Sequence, residues 1–377
     1  MSGRPPSADI VVGLGWGDES KGATVDALAA AGDGARPGAR PTARVVRFNG
    51  GHQAGHNVVA GGRHHTFSSF GSATFLGVPT WLSWDCLVEP SAALREATAL
   101  RALGLTPSLH VHEGCLVTTP LHVAANLARE AARGSARHGT TGRGIGETVA
   151  YSLRVPDAAP TVSDLADSRI FLAKAATLAA VYASDGLLPD EDIDPWRDAL
   201  LAQLEAARCF EVVGLDRFLN ELSDGHTIFE GAQGFWLDES FGFQPHTTWS
   251  KTTPANARAL ARLTGIDQVR TIGCVRTYAT RHGAGPLPHE DELALRPPEP
   301  HNGDDGAAGR FRVAPHDAAL LRAAIDQTMC DGLAISHLDV FDSFQTSDGS
   351  CGLTEFGPVV MTASGPGRED RRLLPTL

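Results

Sequence analysis

Ile10-Val11-Val12-Gly13-Leu14 followed by Gly15-Trp16-Gly17-Asp18-Glu19-Ser20-Lys21-Gly22 is the stretch on which the reading of this chain turns. The short apolar run suits a strand buried on both faces. The glycines behind it, and a helix from about Lys21, put backbone N–H groups and a helix N-terminus toward an anion. Lys21 adds a point charge suited to phosphate. The order departs from the G-x-x-x-x-G-K-[ST] loop, because Ser20 precedes the lysine and Gly22 follows it. The G-x-G-x-x-G pattern of a dinucleotide site is missing as well. Asp18 is the unusual residue. A carboxylate beside a phosphate repels it unless Mg²⁺ lies between them or the carboxylate serves as a base. The plain alternative is a helix N-cap.

Working outward, strand-like runs fall at Asp9–Leu14, Ala43–Phe48, Leu109–His112, Thr227–Phe229, Val269–Val275 and Gly332–Ile335. Helical spacing marks Ala92–Ala102, Leu121–Ala132 and Ala318–Thr328. Short buried strands alternating with helices predict an α/β fold: a largely parallel central sheet with helices on both faces and a P-loop-like nucleotide site. Gly32–Pro41 and Pro297–Gly309 read as exposed loops. Neither divides the chain, so residues 1–377 are expected to form a single domain.

Bulk composition narrows the partners. The 377 residues carry a formal net charge of -12 and no long basic block, which argues against a nucleic-acid partner. Six cysteines without a C-x-x-C pair argue against a zinc site or a disulfide framework and for a reducing cytoplasm. No stretch is long and apolar enough to span a bilayer, and MSGRPPSAD lacks the core of a signal peptide. A cytoplasmic protein with no membrane partner is expected.

Three further segments follow strand-like runs or open onto glycine-rich backbone. Asn49-Gly50-Gly51-His52-Gln53-Ala54-Gly55-His56 has two histidines four apart, in a loop rather than on a zinc-binding helix. Gly139-Thr140-Thr141-Gly142-Arg143-Gly144-Ile145-Gly146 offers two hydroxyls, an arginine and open backbone for a second phosphate. Phe229-Glu230-Gly231-Ala232-Gln233-Gly234 carries an amide able to donate and accept toward a base edge. Each could be a plain turn; together they suggest a site for two phosphorylated ligands.

These segments resemble the adenylosuccinate synthetase family, which joins aspartate to IMP using GTP and Mg²⁺. The resemblance runs from about Asp9 to Asp342, with a short match at Ser364-Gly365-Pro366. Residues 17–22 match G-D-E-G-K-G with Ser20 for a glycine, and residues 50–56 match G-G-H-N-A-G-H with Gln53 for the asparagine. G-T-T-G-R-G-I-G and F-E-G-A-Q-G are unchanged, and residues 280–286 match T-R-V-G-A-G-P in all but His282.

The resemblance implies that Asp18 takes the purine N1 proton and touches Mg²⁺. It implies that His56 stabilises the transferring phosphoryl group, and that Lys21, with Gly17 and Gly22, holds nucleotide phosphates. The Gly55 carbonyl would be a further Mg²⁺ ligand. Thr141 and Thr248 would hold the 5′-phosphate of the purine nucleotide, with Gln53 in its site and Gln233 nearer its base. Arg310 and Arg312 would meet the aspartate carboxylates or a nucleotide. Asp339 would read a guanine edge, with His337 and Gly365 beside the nucleotide. Family members form homodimers with a shared active site, and Arg154 is the local candidate for a contact across the dimer.

The departures fall on recognition. The aspartate loop G-A-T-T-G-R reads Gly306-Ala307-Ala308-Gly309-Arg310, one residue shorter and without either threonine. His337 replaces the lysine of T-K-L-D, and the C-terminal region is short. A relative that makes 2-aminoadenine nucleotides in some phages is similarly short but carries serine at the position of Asp18. The expected activity is GTP-dependent ligation of L-aspartate to C6 of IMP through a 6-phosphoryl intermediate. The same chemistry on GMP or dGMP, with ATP in place of GTP, stays open, as does a non-ligase nucleotide-binding protein.

Overall fold

The computed structural model describes residues 6–32, 43–293, 297 and 309–375. A ten-stranded sheet forms its frame. In chain order its strands are β1 (Ser7–Gly13), β2 (Arg44–Arg47), β3 (Thr80–Leu82), β4 (Leu109–His112), β5 (Glu211–Val213), β6 (His226–Glu230), β7 (Gln268–Arg276), β8 (Gly332–Ser336), β9 (Val359–Ala363) and β10 (Arg371–Leu373). Their spatial order is β10-β9-β8-β7-β1-β6-β2-β3-β4-β5. Every neighbouring pair is parallel except β9 with β10. The expected parallel α/β sheet is therefore present.

β1 lies between β6 and β7, with Val11 opposite Glu230 and Gly13 opposite Cys274. Its side chains alternate between two cores. Ile10 and Val12 pack with Phe218 and Leu222 of the helix Leu215–Leu222 and Leu260 of the helix Ala255–Leu263. Val11 packs on the other side with Val25 and Leu28 of α1 (Lys21–Ala31). Helices thus cover both faces, and burial of each such side chain contributes roughly 1.5–3 kcal/mol. A third apolar core, around Leu100, Leu121, Phe171 and Tyr182, holds the helices Pro90–Ala102, Pro120–Arg133 and Ser168–Ser184 together.

Because the strands run in parallel, the carboxyl ends of β1, β2, β6, β7 and β8 open on one edge of the sheet, where ligands of such folds gather. The exposed loops expected at Gly32–Pro41 and Pro297–Gly309 lie, apart from Gly32, Pro297 and Gly309, outside the described residues.

Candidate functional site

The loop after β1 is shaped by backbone that side chains tolerate poorly. Gly17 has φ 108°, and Ser20, the residue that caps α1, has φ 62°. That left-handed conformation explains why the family pattern has glycine where this chain has Ser20. The N-cap alternative for Asp18 is therefore not what the structure shows. α1 starts at Lys21, whose buried ammonium donates to the Gly17 carbonyl at 2.8 Å and to Glu19 at 3.2 Å. Glu19 also accepts from the Gly17 N–H at 2.7 Å. The loop donors thus already converge on an anion.

His56 begins the hairpin strand His56–Ala60 and sits against α1. A Cβ on Gly22 would lie 2.5 Å from that of His56, so only glycine admits this approach. The imidazole meets Glu230, the last residue of β6, with Nδ1 and Oε1 2.5 Å apart. Glu230 is fully buried and also accepts from the Ser72 N–H at 3.0 Å and from the Ser72 hydroxyl. Burial pushes the Glu230 pKa up, but His56, Arg47 and Ser72 outweigh it and hold it at about 2. Burial in turn lowers the His56 pKa against the pull of Glu230. An ionised Glu230 must accept, so the neutral imidazole donates through Nδ1, leaving Nε2 as its second functional atom.

Asp18 is held from the opposite side. Arg276, at the end of β7, pairs with its carboxylate at 2.8 Å. The guanidinium is itself fixed, donating to the Tyr278 hydroxyl at 3.1 Å and lying 5.6 and 5.8 Å from the ring centres of Tyr278 and Phe311. Burial raises the Asp18 pKa, but Arg276, then Lys21 and His337, bring it below the ordinary carboxylate value. The Asp18 side chain keeps 38% of its exposure, enough for a ligand to reach. His337 follows β8 with φ 66° and is neutral near pH 7, its pKa taken to about 3 by burial and by Arg276. It therefore does not replace the positive charge of the family's lysine.

The other motifs close around this centre. Asn49 exchanges hydrogen bonds with Ala232, at 3.1 and 2.8 Å, joining the loop after β2 to the loop after β6. Gly51 lies against Ile145, and Gly17 against Gln233. Gln53 has both side-chain polar atoms buried without a hydrogen-bond partner among the described residues; Gln233 Oε1 and His52 Nδ1 share that state. Buried polar atoms of this kind cost roughly 1–3 kcal/mol each while nothing meets them. Gln233 is also held at φ 63°. Thr141 is exposed in its glycine-rich loop. Thr248 donates its N–H to Leu237 at 2.8 Å, and the neighbouring Trp249 lies over Gly146.

Arg310 and Arg312 pair with one carboxylate, Glu290, at 2.6 and 2.7 Å. Asp339 is exposed in the turn after β8. Gly365 lies at the C-terminal strand pair, where a Cβ would meet Asp370 at 2.4 Å. Arg154 pairs instead with Asp185 of its own chain at 2.5 Å. The Asp18 carboxylate and the carbonyl of Gly55, which is exposed, are oxygens of the hard type. Few protein oxygens completed by substrate phosphates suit Mg²⁺. No cluster of three His, Cys, Asp or Glu suited to a metal occurs among the described residues.

Glu230, Arg276, Ser72 and Glu290 belong to this cluster although the motifs give none of them a role. Glu230 had a usable signal, a carboxylate ending an otherwise apolar buried strand, which demands a partner. The other three carry no local mark.

Fold and site define an α/β enzyme of the phosphate-handling class. A sequence model of the adenylosuccinate synthetase family matches residues 10–348. The adenylosuccinate synthetase of Thioalkalivibrio sulfidiphilus is 33% identical over 352 residues, covering 89% of this chain and 78% of that one. That of Alkalilimnicola ehrlichii is 35% identical over 352 residues, with the same coverage. Among solved structures, fully ligated adenylosuccinate synthetase from Plasmodium falciparum superposes with a TM-score of 0.76 at 18% identity, covering 97% of this chain and 99% of that one. The succinoaminodeoxyadenylate synthetase of cyanophage S-2L, bound to dGMP and dATP, gives 0.69 at 19%, covering 99% and 97%. This chain belongs to the adenylosuccinate synthetase family, the members of which are ligases that form a C–N bond.

Proposed function

We propose that this chain is a GTP-using, Mg²⁺-dependent ligase that joins L-aspartate to C6 of IMP, working in the cytoplasm as a single-domain homodimer. The observation that carries the reading is the meeting of Lys21, the Asp18–Arg276 pair and the His56–Glu230 pair at one sheet edge. Asp18 accepts the purine N1 proton, charge moves to O6, and O6 attacks the γ-phosphorus as the diphosphate leaves. The aspartate amine then attacks C6, and phosphate departs with the C–O bond. A proton gained at His56 Nε2 as phosphoryl oxygens approach is stabilised by Glu230, whose charge is fixed beforehand. Lys21 neutralises the nucleotide phosphates. Mg²⁺, held by Asp18 and the Gly55 carbonyl, would supply further charge neutralisation. Gln53, Gln233, Thr141 and Thr248 bind the purine nucleotide, and Arg310 binds the amino acid.

A second reading, the same chemistry on GMP or dGMP with ATP as donor, is favoured by Gln53 in place of asparagine and by the neutral His337 in place of lysine. Phosphate release measured with IMP, GMP and dGMP, crossed with aspartate and with both triphosphates, separates the two. Strong turnover with triphosphate alone would sink both.

Asp339 bears on the triphosphate. A carboxylate only accepts hydrogen bonds, which matches the N1–H and N2–H₂ donors of guanine and opposes the N1 lone pair of adenine. At about 1.5–3 kcal/mol for each hydrogen bond to a charged group, kcat/KM is expected to favour GTP by at least about tenfold. Asp339→Asn should erase most of that preference. Equal wild-type values for GTP and ATP would show that Asp339 does not read the base.

Assembly is testable separately. Leu153 on the helix Ile145–Arg154 and Leu127 on the helix packed beside it are exposed, at 69% and 54%. Sedimentation is expected to give a dimer at working concentration. A fully active monomer would remove Arg154 from the site.

A further inference from the structure

Glu290 lies in a turn that holds two non-glycine residues in left-handed backbone, His289 with φ 61° and Asp291 with φ 64°. Such conformations persist only where surrounding contacts enforce them. Here the Asp291 N–H fastens to the Val313 carbonyl at 3.3 Å, which seats the turn on the strand Phe311–Ala314. Arg310 and Arg312 are two residues apart at the start of that strand, a spacing that puts side chains on one face. Both reach the carboxylate between the two strained residues: Arg310 Nη2 donates to Oε1 at 2.6 Å and Arg312 Nη1 to Oε2 at 2.7 Å. Arg312 is anchored further by Nη2, which donates to the Gly283 and Gly285 carbonyls at 2.6 and 2.8 Å. Arg281 adds a third guanidinium nearby, its pKa brought down to about 10 by burial and then by the charge of Arg312. Without Glu290, like charges would crowd one face, and Arg310, with 53% of its side chain exposed, would turn into solvent.

We propose that Glu290 is the positioning residue that holds Arg310 and Arg312 as a paired receptor for the carboxylate of the amino donor. The assignment rests on the reading above that places the amino acid at Arg310. Glu290 takes one N–H from each guanidinium, and each guanidinium has five, so the pair stays able to bind an incoming carboxylate. A glutamine at 290 would turn an N–H₂ toward one arginine and break that half of the bridge. An aspartate, one methylene shorter, would keep the charge but fail to span both.

The test is steady-state phosphate release by the full chain, varying L-aspartate and the purine monophosphate in turn. Glu290→Gln is expected to raise the KM for aspartate about tenfold or more, the equivalent of one charged hydrogen bond. The KM for the monophosphate should stay within about twofold. Glu290→Asp should fall between wild type and Glu290→Gln. In an Arg310→Ala background, Glu290→Gln should raise that KM by clearly less than it does in wild type, because only the Arg312 half of the bridge is left to break and residues acting as a unit are not additive. A rise shared equally by both KM values, full additivity with Arg310→Ala, or an unchanged or lower aspartate KM would each overturn the assignment while leaving the functional reading intact. Wild-type turnover that ignores the amino acid would overturn the functional reading, and this assignment with it.

Discussion

Asp18→Ala is expected to lower the rate of amino-acid-dependent phosphate release by about 10²–10⁴-fold, the usual worth of a positioned general base. Two losses compound. The N1 proton of the purine has no acceptor, so O6 does not gain the charge it needs to attack phosphorus. The carboxylate oxygen offered to Mg²⁺ goes with it. Arg276 then keeps its charge at the end of β7 with its guanidinium still clasped by Tyr278, so the positive field at the site rises rather than falls. That makes the variant informative, because nucleotide affinity should survive while turnover does not. Asp18→Asn keeps the shape and one acceptor for Arg276 but cannot take a proton, and should be nearly as slow as the alanine variant. Rates within about threefold of wild type in either would assign the base elsewhere, since a lost general base is worth far more.

What could be read from the sequence follows from how far apart the interacting residues lie. The helix at Ala318–Thr328 and the strand at Leu109–His112 fall where local spacing puts them; β1, β6 and β7 differ from expectation by one or two residues at each end, and β8 by one residue at its C-terminal end. β3 and β5 are three residues long, too short for any period to register, and take their place only from parallel neighbours. β10 joins the sheet in the antiparallel sense, which no parallel pattern announces. The same division runs through the site. Lys21, His56 and Gln53 stand inside glycine-rich segments and are visible there. The pairings are not: Glu230 ends a buried strand and so demands some partner, but His56 lies 174 residues away from it, and Arg276 meets the Asp18 backbone across 258. Glu290 is one acid among several in Pro288–Leu293, distinguished only by the two arginines that fold back onto it.

Removing the charge of Glu230 is expected to damage stability and turnover together, and the pH dependence identifies the cause. Glu230 accepts from His56 and twice from Ser72 in a position closed to water. Taking one partner from a buried pair of this kind costs about 3–5 kcal/mol, so Glu230→Ala should lose that much in urea denaturation at pH 7. Glu230→Gln, which keeps the volume, should lose less but still leave a donor facing a donor. The folded pKa of about 2 lies below the ordinary glutamate value of about 4.3. The ionised carboxylate therefore stabilises the fold above about pH 4.3, by an amount on the order of 3 kcal/mol, and that contribution is lost as pH falls toward 2. Wild type and Glu230→Gln should accordingly differ most near neutrality, by clearly less at about pH 3, and converge only as pH falls through about 2, where the folded carboxylate is protonated as well. His56 gives turnover the same dependence by another route. An amide at 230 no longer fixes Nδ1 as the donor or balances a proton arriving at Nε2, so kcat should fall about tenfold or more even where the variant is folded. A stability gap that stays constant from pH 7 to pH 3 would mean that the Glu230 charge is not what the fold depends on. Normal kcat in folded Glu230→Gln would mean that His56 works without it.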